Sequence, residues 1–140
     1  MYKKILVGYD GSDGSKRALE HAIHLTQEHD GELWTLWVRG SLPHYPETID
    51  EIEEEKEAAD SYLQNLMGEV AAYSKQFNIE IHGDTKSGHV AKTIVDYAKE
   101  GGFELIVIGH SGHSGLWGHL LGHTADKVSE TAHCSVLIVR

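Results

Sequence analysis

The chain has 140 residues, 40% of them hydrophobic and 24% charged, a composition typical of one folded domain rather than a disordered segment. Its formal net charge of −10 argues against a general nucleic-acid-binding surface, which needs clustered lysine and arginine side chains. The apolar runs are too short to cross a bilayer or to form a secretory signal, so we expect a cytoplasmic protein that does not enter a membrane.

The first half of the chain alternates between strand-like and helix-like segments. An apolar run at 4–9 ends in the polar turn 10–14, and a second run follows the helix stop Asp30-Gly31. Both prolines fall within 41–46, which predicts a loop. We predict strands over 4–9 and 32–38, a helix over 15–29 and a long helix over 48–77. The long helix has one apolar stripe, made of Ile49, Ile52, Ala59, Leu63, Leu66, Val70, Tyr73 and Phe77.

The second half continues the alternation with three further strand-like segments. Residues 79–83 alternate in polarity like a half-buried strand, and Gly101-Gly102 ends the helix that follows. The single cysteine, Cys134, excludes an internal disulfide, and we expect it to be a small core residue. We predict strands over 79–83, 103–108 and 135–139, and helices from 87 or 88 to 100 and from 124 to 132.

Apolar strands that alternate with helices are typical of a mainly parallel sheet with helices on both faces. Without a linker or an internal repeat, this pattern predicts one α/β domain over residues 1–140. In such sheets a ligand binds beyond the carboxyl ends of the strands, where the strand order reverses. The glycine-containing turns after the first and fourth strands would meet there if these strands are neighbours.

The segment after the fourth strand, residues 109–124, is rich in glycine. Glycine lets backbone N–H groups approach an anion closely, and the start of the following helix favours phosphate. The chain has no Gly-Lys-Ser/Thr, and the segment lacks the dinucleotide fingerprint, which disfavours P-loop ATPases and dehydrogenases. The glycine content alone is equally compatible with a tight loop that binds nothing. The glycines are Gly109, Gly112, Gly115, Gly118 and Gly122.

Four of the eleven histidines lie in the same segment, at His110, His113, His119 and His123. Imidazole is a common zinc ligand, and His119 and His123 have the spacing of a helical metal pair. The segment contains no carboxylate or cysteine that would complete such a site. We therefore predict no specific metal site and interpret these histidines as solvated or adjacent to phosphate.

Four segments form a recognisable pattern in order along the chain. The first is the opening Ile5-Leu6-Val7-Gly8-Tyr9-Asp10-Gly11-Ser12, and the second is the run Leu105-Ile106-Val107-Ile108-Gly109. The third is the set of glycines 109, 112 and 122, in the spacing Gly-x2-Gly-x9-Gly, and the last is the closing Cys134-Ser135-Val136-Leu137-Ile138-Val139. Together they resemble the universal stress protein family, in its first strand with an Asp-Gly-Ser turn, its fourth and closing strands, and its nucleotide loop. The resemblance covers essentially the whole chain.

The resemblance implies a five-stranded sheet of order 3-2-1-4-5, of the adenine-nucleotide α-hydrolase type, with ATP in the crevice between strands one and four. The resemblance also allows AMP or ADP in place of ATP, with or without Mg²⁺. It places Asp10 at the nucleoside end, the Val38 backbone near adenine and Gly109 by the ribose. The N–H groups of Gly112 and Gly122 would contact the phosphates. The full implied set is Asp10, Gly11, Ser12, Val38, Gly109, His110, Ser111, Gly112, His113, Gly122, His123 and Thr124. The resemblance also implies a homodimer that pairs through strand 135–139.

One position departs from the family pattern. ATP-binding members have a serine or threonine after the last glycine, whereas this chain has His123 there and Thr124 one residue later. A protonated imidazole would attract phosphate and make binding depend on pH. Alternatively, the ring fills the pocket and weakens ATP binding. We expect binding to be retained.

The sequence thus predicts a nucleotide-dependent protein with a regulatory role in stress response rather than a dedicated enzyme. The glycine-rich segment contains no arginine, and no general base is placed beyond Asp10 or Asp13, so any hydrolysis of ATP should be slow. Two alternatives stay open. One is a dimeric interaction module of the same fold that does not bind ATP, and the other is a weak ATPase or autophosphorylating protein.

Overall fold

A computed structural model describes residues 1–40, 48–110 and 118–140, with the backbone alone described for 118–122. Five strands alternate with four helices along these residues. They are β1 (Lys4–Gly8), α1 (Asp13–His29), β2 (Glu32–Arg39), α2 (Ile49–Phe77), β3 (Ile81–Ser87), α3 (Val90–Glu100), β4 (Leu105–Gly109), α4 (Gly118–Thr131) and β5 (Ser135–Val139). None of the helices, over the residues that are described, is both long and apolar enough to span a bilayer.

The five strands form one parallel sheet of order β3-β2-β1-β4-β5, which confirms the predicted architecture. The central strand β1 pairs on one side with β2 and on the other with β4, so that Ile5 lies opposite both Leu33 and Leu105. The connection from β3 to β4 passes over β2 and β1. The strand order therefore reverses between β1 and β4, and their carboxyl ends open a crevice at this point.

The inner strands β1 and β4 are largely apolar because both faces of the sheet are covered there. Along β1, Ile5 and Val7 belong to a core cluster with residues of α1 and α2, whereas Leu6 belongs to a second cluster with residues of α3 and α4. This division follows from the period of two in a strand, which directs successive side chains to opposite faces. The two clusters fix the sheet and so fix the positions of its strand ends.

Polar residues cap the start of α1 and both ends of α2. Ser12 caps α1 by accepting a hydrogen bond at 3.2 Å from the N–H of Ser15, and Thr48 caps α2 by accepting one at 3.1 Å from the N–H of Glu51. Asn78 ends α2 in the left-handed conformation, with φ of 51°. The prediction of one long helix over 48–77 is confirmed to within a residue. The loop predicted at 41–46 lies outside the described residues.

Helix α2 departs from the prediction in the burial of its apolar stripe. Its C-terminal half follows the prediction, since Leu66 is buried and Val70, Tyr73 and Phe77 pack against the first core cluster. Its N-terminal half does not, because Ile49 and Ile52 are 74% and 51% exposed. The stripe continues past the end of the sheet, where the described residues offer no apolar surface to cover it.

Two predicted elements have an end that is wrong by more than three residues. The third strand spans Ile81–Ser87 instead of 79–83, because β3 pairs with β2 along its whole length, from Leu33 opposite Ile81 to Arg39 opposite Ser87. As an exposed edge strand, β3 tolerates polar residues that look like a turn in the sequence. Helix α4 starts at Gly118 and not at 124, since two glycines cost a helix only about 1 kcal/mol each.

Candidate functional site

A cavity of about 350 Å³ opens at the carboxyl ends of β1, β2 and β4. It lies at the reversal of the strand order, where a sheet of this kind is expected to bind its ligand. Its volume is within the usual range of small-molecule sites, about 300–1,000 Å³. Five of the residues chosen from the sequence contribute to its lining, namely Asp10, Ser12, Val38, Gly109 and Thr124.

The turn after β1 is held in one conformation by its own hydrogen bonds. The Oδ1 atom of Asp10 accepts a bond at 2.9 Å from the N–H of Ser12. Gly11 has φ of +83°, a left-handed conformation that favours glycine. A Cβ atom at Gly11 would also lie 2.8 Å from Cδ2 of Leu66, so the back of this turn is packed against α2. Gly11 therefore shapes the site without being part of the described lining.

Gly109, at the end of β4, lies against the first turn of α1. A Cβ atom at this position would lie 2.7 Å from the carbonyl carbon of Gly14 and 2.8 Å from its oxygen. Close packing of a strand end on a helix thus accounts for this glycine independently of any ligand. The next residue, His110, is exposed and outside the described lining, and its N–H donates to the Val139 carbonyl at 2.7 Å.

The orientation of helix α4 determines which of His123 and Thr124 faces the cavity. Thr124 is 4% exposed and lines the cavity, whereas His123 is exposed and does not. Adjacent helical residues point in directions about 100° apart, so only one of the two can face the cavity. Gly122 lies inside α4, where its N–H is in position for a helical hydrogen bond instead of a ligand. Ser111, Gly112 and His113 lie outside the described residues.

An aromatic wall, which the sequence did not reveal, closes the cavity on the side of α2. Trp37 of β2 and Tyr62 of α2 meet with ring centroids 5.3 Å apart and planes inclined by 55°. Both line the cavity, together with Ala58 and Ala59. Tyr62 immediately precedes the apolar position Leu63, and the helical period identifies the core stripe without indicating which residue beside it faces a cavity.

Burial and nearby carboxylates set the protonation of two tyrosines beside the site. Burial, followed by the charges of Asp10 and Glu69, raises the pKa of Tyr62. Burial also raises the pKa of Tyr9, as does its 2.6 Å hydrogen bond to Oε1 of Glu69. Both phenols act as hydrogen-bond donors, Tyr9 to Glu69 and Tyr62 to a backbone carbonyl. The Tyr62 hydroxyl donates to the carbonyl oxygen of Asp10.

The described lining contains one basic side chain, Arg39, at the end of β2. His89 precedes α3 as an exposed cap residue outside this lining. Within the described parts of the chain, no three His, Cys, Asp or Glu side chains are grouped to hold a metal ion. What the site offers is a mostly apolar cavity with a carboxylate, buried hydroxyls and helix ends.

A parallel five-stranded sheet with this strand order and one cavity at its reversal defines a doubly wound α/β protein. The profile of the Universal stress protein family matches residues 1–140. The chain is 37% identical to the universal stress protein YxiE of Bacillus subtilis over 152 aligned positions that cover all of both chains. The chain belongs to the universal stress protein family.

Solved structures agree with this assignment. Universal stress protein UspA from Lactobacillus plantarum superposes with a TM-score of 0.85 at 26% identity, covering 99% of this chain and 98% of that one. A universal stress protein in complex with cAMP superposes with a TM-score of 0.74 at 25% identity, covering 99% and 97% of the two chains. The second of these proteins has an adenine nucleotide bound.

Proposed function

We propose that this protein binds an adenine nucleotide, ATP or its relatives AMP and ADP, in the cavity between β1 and β4. The single observation that carries the proposal is the cavity itself, of about 350 Å³, with Asp10 and Thr124 in its lining. The structural relative in complex with cAMP supports the ligand class. We assign the protein a regulatory role in the response to stress, in keeping with its membership of the universal stress protein family.

The nucleoside is assigned to the side of β1 and β2. The Asp10 carboxylate is the acceptor for ribose hydroxyls, and the backbone of Val38 borders the base. The apolar surface of Trp37 and Tyr62 suits a flat heteroaromatic ring, which gains from stacking on aromatic side chains.

The phosphates are assigned to the side of β4 and α4. Thr124 brings a buried hydroxyl to the cavity, and the N–H groups in the first turn of α4, near Gly118, have no partner within their own helix. Such helix starts favour phosphate. The outward position of His123 supports retained binding over the alternative in which its ring fills the pocket. Mg²⁺, which typically binds one or two carboxylates together with substrate phosphates, would arrive with the nucleotide.

A conservative pair of variants tests this assignment. Thr124→Val keeps the volume of the side chain and removes the hydroxyl, so ATP affinity should fall about 10- to 100-fold, the range for a lost hydrogen bond to a charged group. Affinity for adenosine, which has no phosphate, should change little. His123→Gln is the matched control and should leave ATP affinity unchanged. Calorimetric titration of the nucleotide-free protein provides all three comparisons.

The titration, native mass spectrometry and an assay of phosphate release together separate the proposal from its alternatives. A parent protein that binds no adenine nucleotide and carries none in native mass spectrometry would be a dimeric interaction module of the same fold. A parent that binds ATP and releases phosphate, with the release lost in Asp10→Ala, would be a weak ATPase. A stronger effect of His123→Gln than of Thr124→Val would reverse the assignment of the phosphate side.

We also propose that two copies pair through β5, which forms one edge of the sheet. Val136, Leu137 and Ile138 are only half-buried within a single chain, and an apolar edge strand of this kind is stabilised by pairing. A cytoplasmic location stays a prediction from the sequence.

A further inference from the structure

Within the described part of the chain, helix α2 changes from packed to largely exposed near Tyr62. From Leu63 to Phe77 its inward face packs against the sheet through Leu66, Val70 and Tyr73. Over residues 49–61 every side chain is exposed except those of Glu55 and Ala59, which are half-exposed. This N-terminal half is roughly 20 Å long. Tyr62 stands at the junction between the anchored half and the exposed half.

Tyr62 touches both the cavity and the turn that contains Asp10. Its ring packs against Trp37 and lines the cavity, and its hydroxyl donates to the Asp10 carbonyl oxygen. A Cβ atom at Gly11 would lie 3.3 Å from that hydroxyl and 2.8 Å from Leu66. Two successive turns of α2 therefore support the back of the turn that presents Asp10.

We propose that Tyr62 is the positioning residue of this site: its hydroxyl fixes the Asp10 turn and couples occupancy of the cavity to the docking of helix α2. The inference deepens the proposed function and rests on it for the identity of the ligand. A ligand in the cavity packs against Ala58, Ala59 and Tyr62, which lie within about one helical turn of each other. Binding therefore restrains α2 at the residue where its exposed half begins.

The Tyr62 hydroxyl does not need to touch the ligand for this role. It acts through the Asp10 backbone, and the Asp10 carboxylate then meets the ribose. The Tyr62 phenol donates a hydrogen bond to the Asp10 carbonyl, and burial together with the carboxylates of Asp10 and Glu69 raises its pKa above the ordinary value. Glu69 is itself bonded to Tyr9, so this side of the turn has several connected polar contacts.

The variant Tyr62→Phe removes the hydroxyl and keeps the aromatic wall. We expect its affinity for ATP to fall about fivefold, the size of effect for one neutral hydrogen bond. The matched control is Tyr73→Phe, on the same helix, whose hydroxyl lies 3.5 Å from Glu20 and outside the described cavity lining. Tyr73→Phe should bind ATP like the parent.

Two further readouts separate positioning from general stability. In an Asp10→Asn background, Tyr62→Phe should reduce ATP affinity by less than about twofold, because the carboxylate that it positions is gone. In hydrogen exchange without ligand, amides of residues 10–15 should exchange faster in Tyr62→Phe than in the parent or in Tyr73→Phe. ATP should slow exchange over residues 49–60 in the parent and do so less in Tyr62→Phe.

The outcomes of this inference and of the proposed function are distinct. If the parent binds ATP and Tyr62→Phe binds it equally well, the positioning role is overturned and the proposed function stands. If the parent binds no adenine nucleotide, the proposed function fails, and the exchange of residues 10–15 still decides whether Tyr62 holds the turn. Unchanged exchange there in Tyr62→Phe would overturn the inference on its own.

Discussion

Gly109 and Gly14 meet backbone to backbone where β4 ends on α1, with 2.7 Å between a hypothetical Cβ at Gly109 and the carbonyl carbon of Gly14. Gly109→Ala should therefore reduce the free energy of unfolding by about 1–3 kcal/mol, the usual cost of overpacking. Urea denaturation measures this. Gly68→Ala is the control, because its Cβ would meet nothing within 4 Å on helix α2, and it should raise stability by about 0.5–1 kcal/mol. Equal effects of the two substitutions would contradict the packing account.

Cys134 is half-buried and packs against the second core cluster, in keeping with the small apolar role expected from the sequence. Desolvation raises the pKa of its thiol above the ordinary value, so at pH 8 less of it is thiolate than in an unfolded chain. Alkylation of the native protein by iodoacetamide at pH 8 should be slower than alkylation of the urea-unfolded protein. Equal rates would indicate an accessible thiol with an ordinary pKa.

The roles of some single residues cannot be predicted from the sequence. The departure at His123 was visible in the sequence, but which of His123 and Thr124 faces the cavity depends on where α4 starts. A segment with five glycines reads as a loop, and the helix start at Gly118 was missed for that reason. Tyr62 could not be found at all, because its role depends on the long-range contact with Asp10.

At the level of elements, the apolar edge strand β5 forms the interface of the proposed dimer. Sedimentation at micromolar concentration should give twice the monomer mass of 15.5 kDa. A lysine replacing the half-buried Val136 of β5 should weaken this association, since a charge on the edge opposes pairing. Thr85→Lys, on the opposite and already polar edge β3, is the control and should leave the mass unchanged. A parent that sediments as a monomer would contradict the proposal.

The elements themselves were largely predictable, and their ends less so. Apolar periodicity identified all five strands and four helices, because each covers or belongs to a sheet with two buried faces. The range of β3 was missed because pairing with β2, and not local composition, keeps Asp84 to Ser87 extended. The strand order came from the family resemblance, as the polarity pattern alone leaves several orders open.

For the whole molecule, we expect ligand binding and folding to be linked. A ligand that binds only the native state adds about 2.7 kcal/mol of stability at a concentration 100 times its dissociation constant. For a domain of 140 residues this should raise the Tm by several degrees, roughly 2–8 °C per kcal/mol. Thermal unfolding in the presence of ATP, AMP or cAMP measures the shift, and a separate measurement with adenosine is the comparison. Thr124→Val should reduce the shift with ATP more than the shift with adenosine.

The most direct measurement is a crystal structure of the protein grown with saturating ATP or AMP. We expect one nucleotide per chain in the cavity between β1 and β4. The base should lie beside Val38 and Tyr62, the ribose hydroxyls should bond to Asp10, and the phosphates should lie at Thr124 and the start of α4. A nucleotide bound elsewhere on the chain, or a cavity that holds none at saturation, would contradict it.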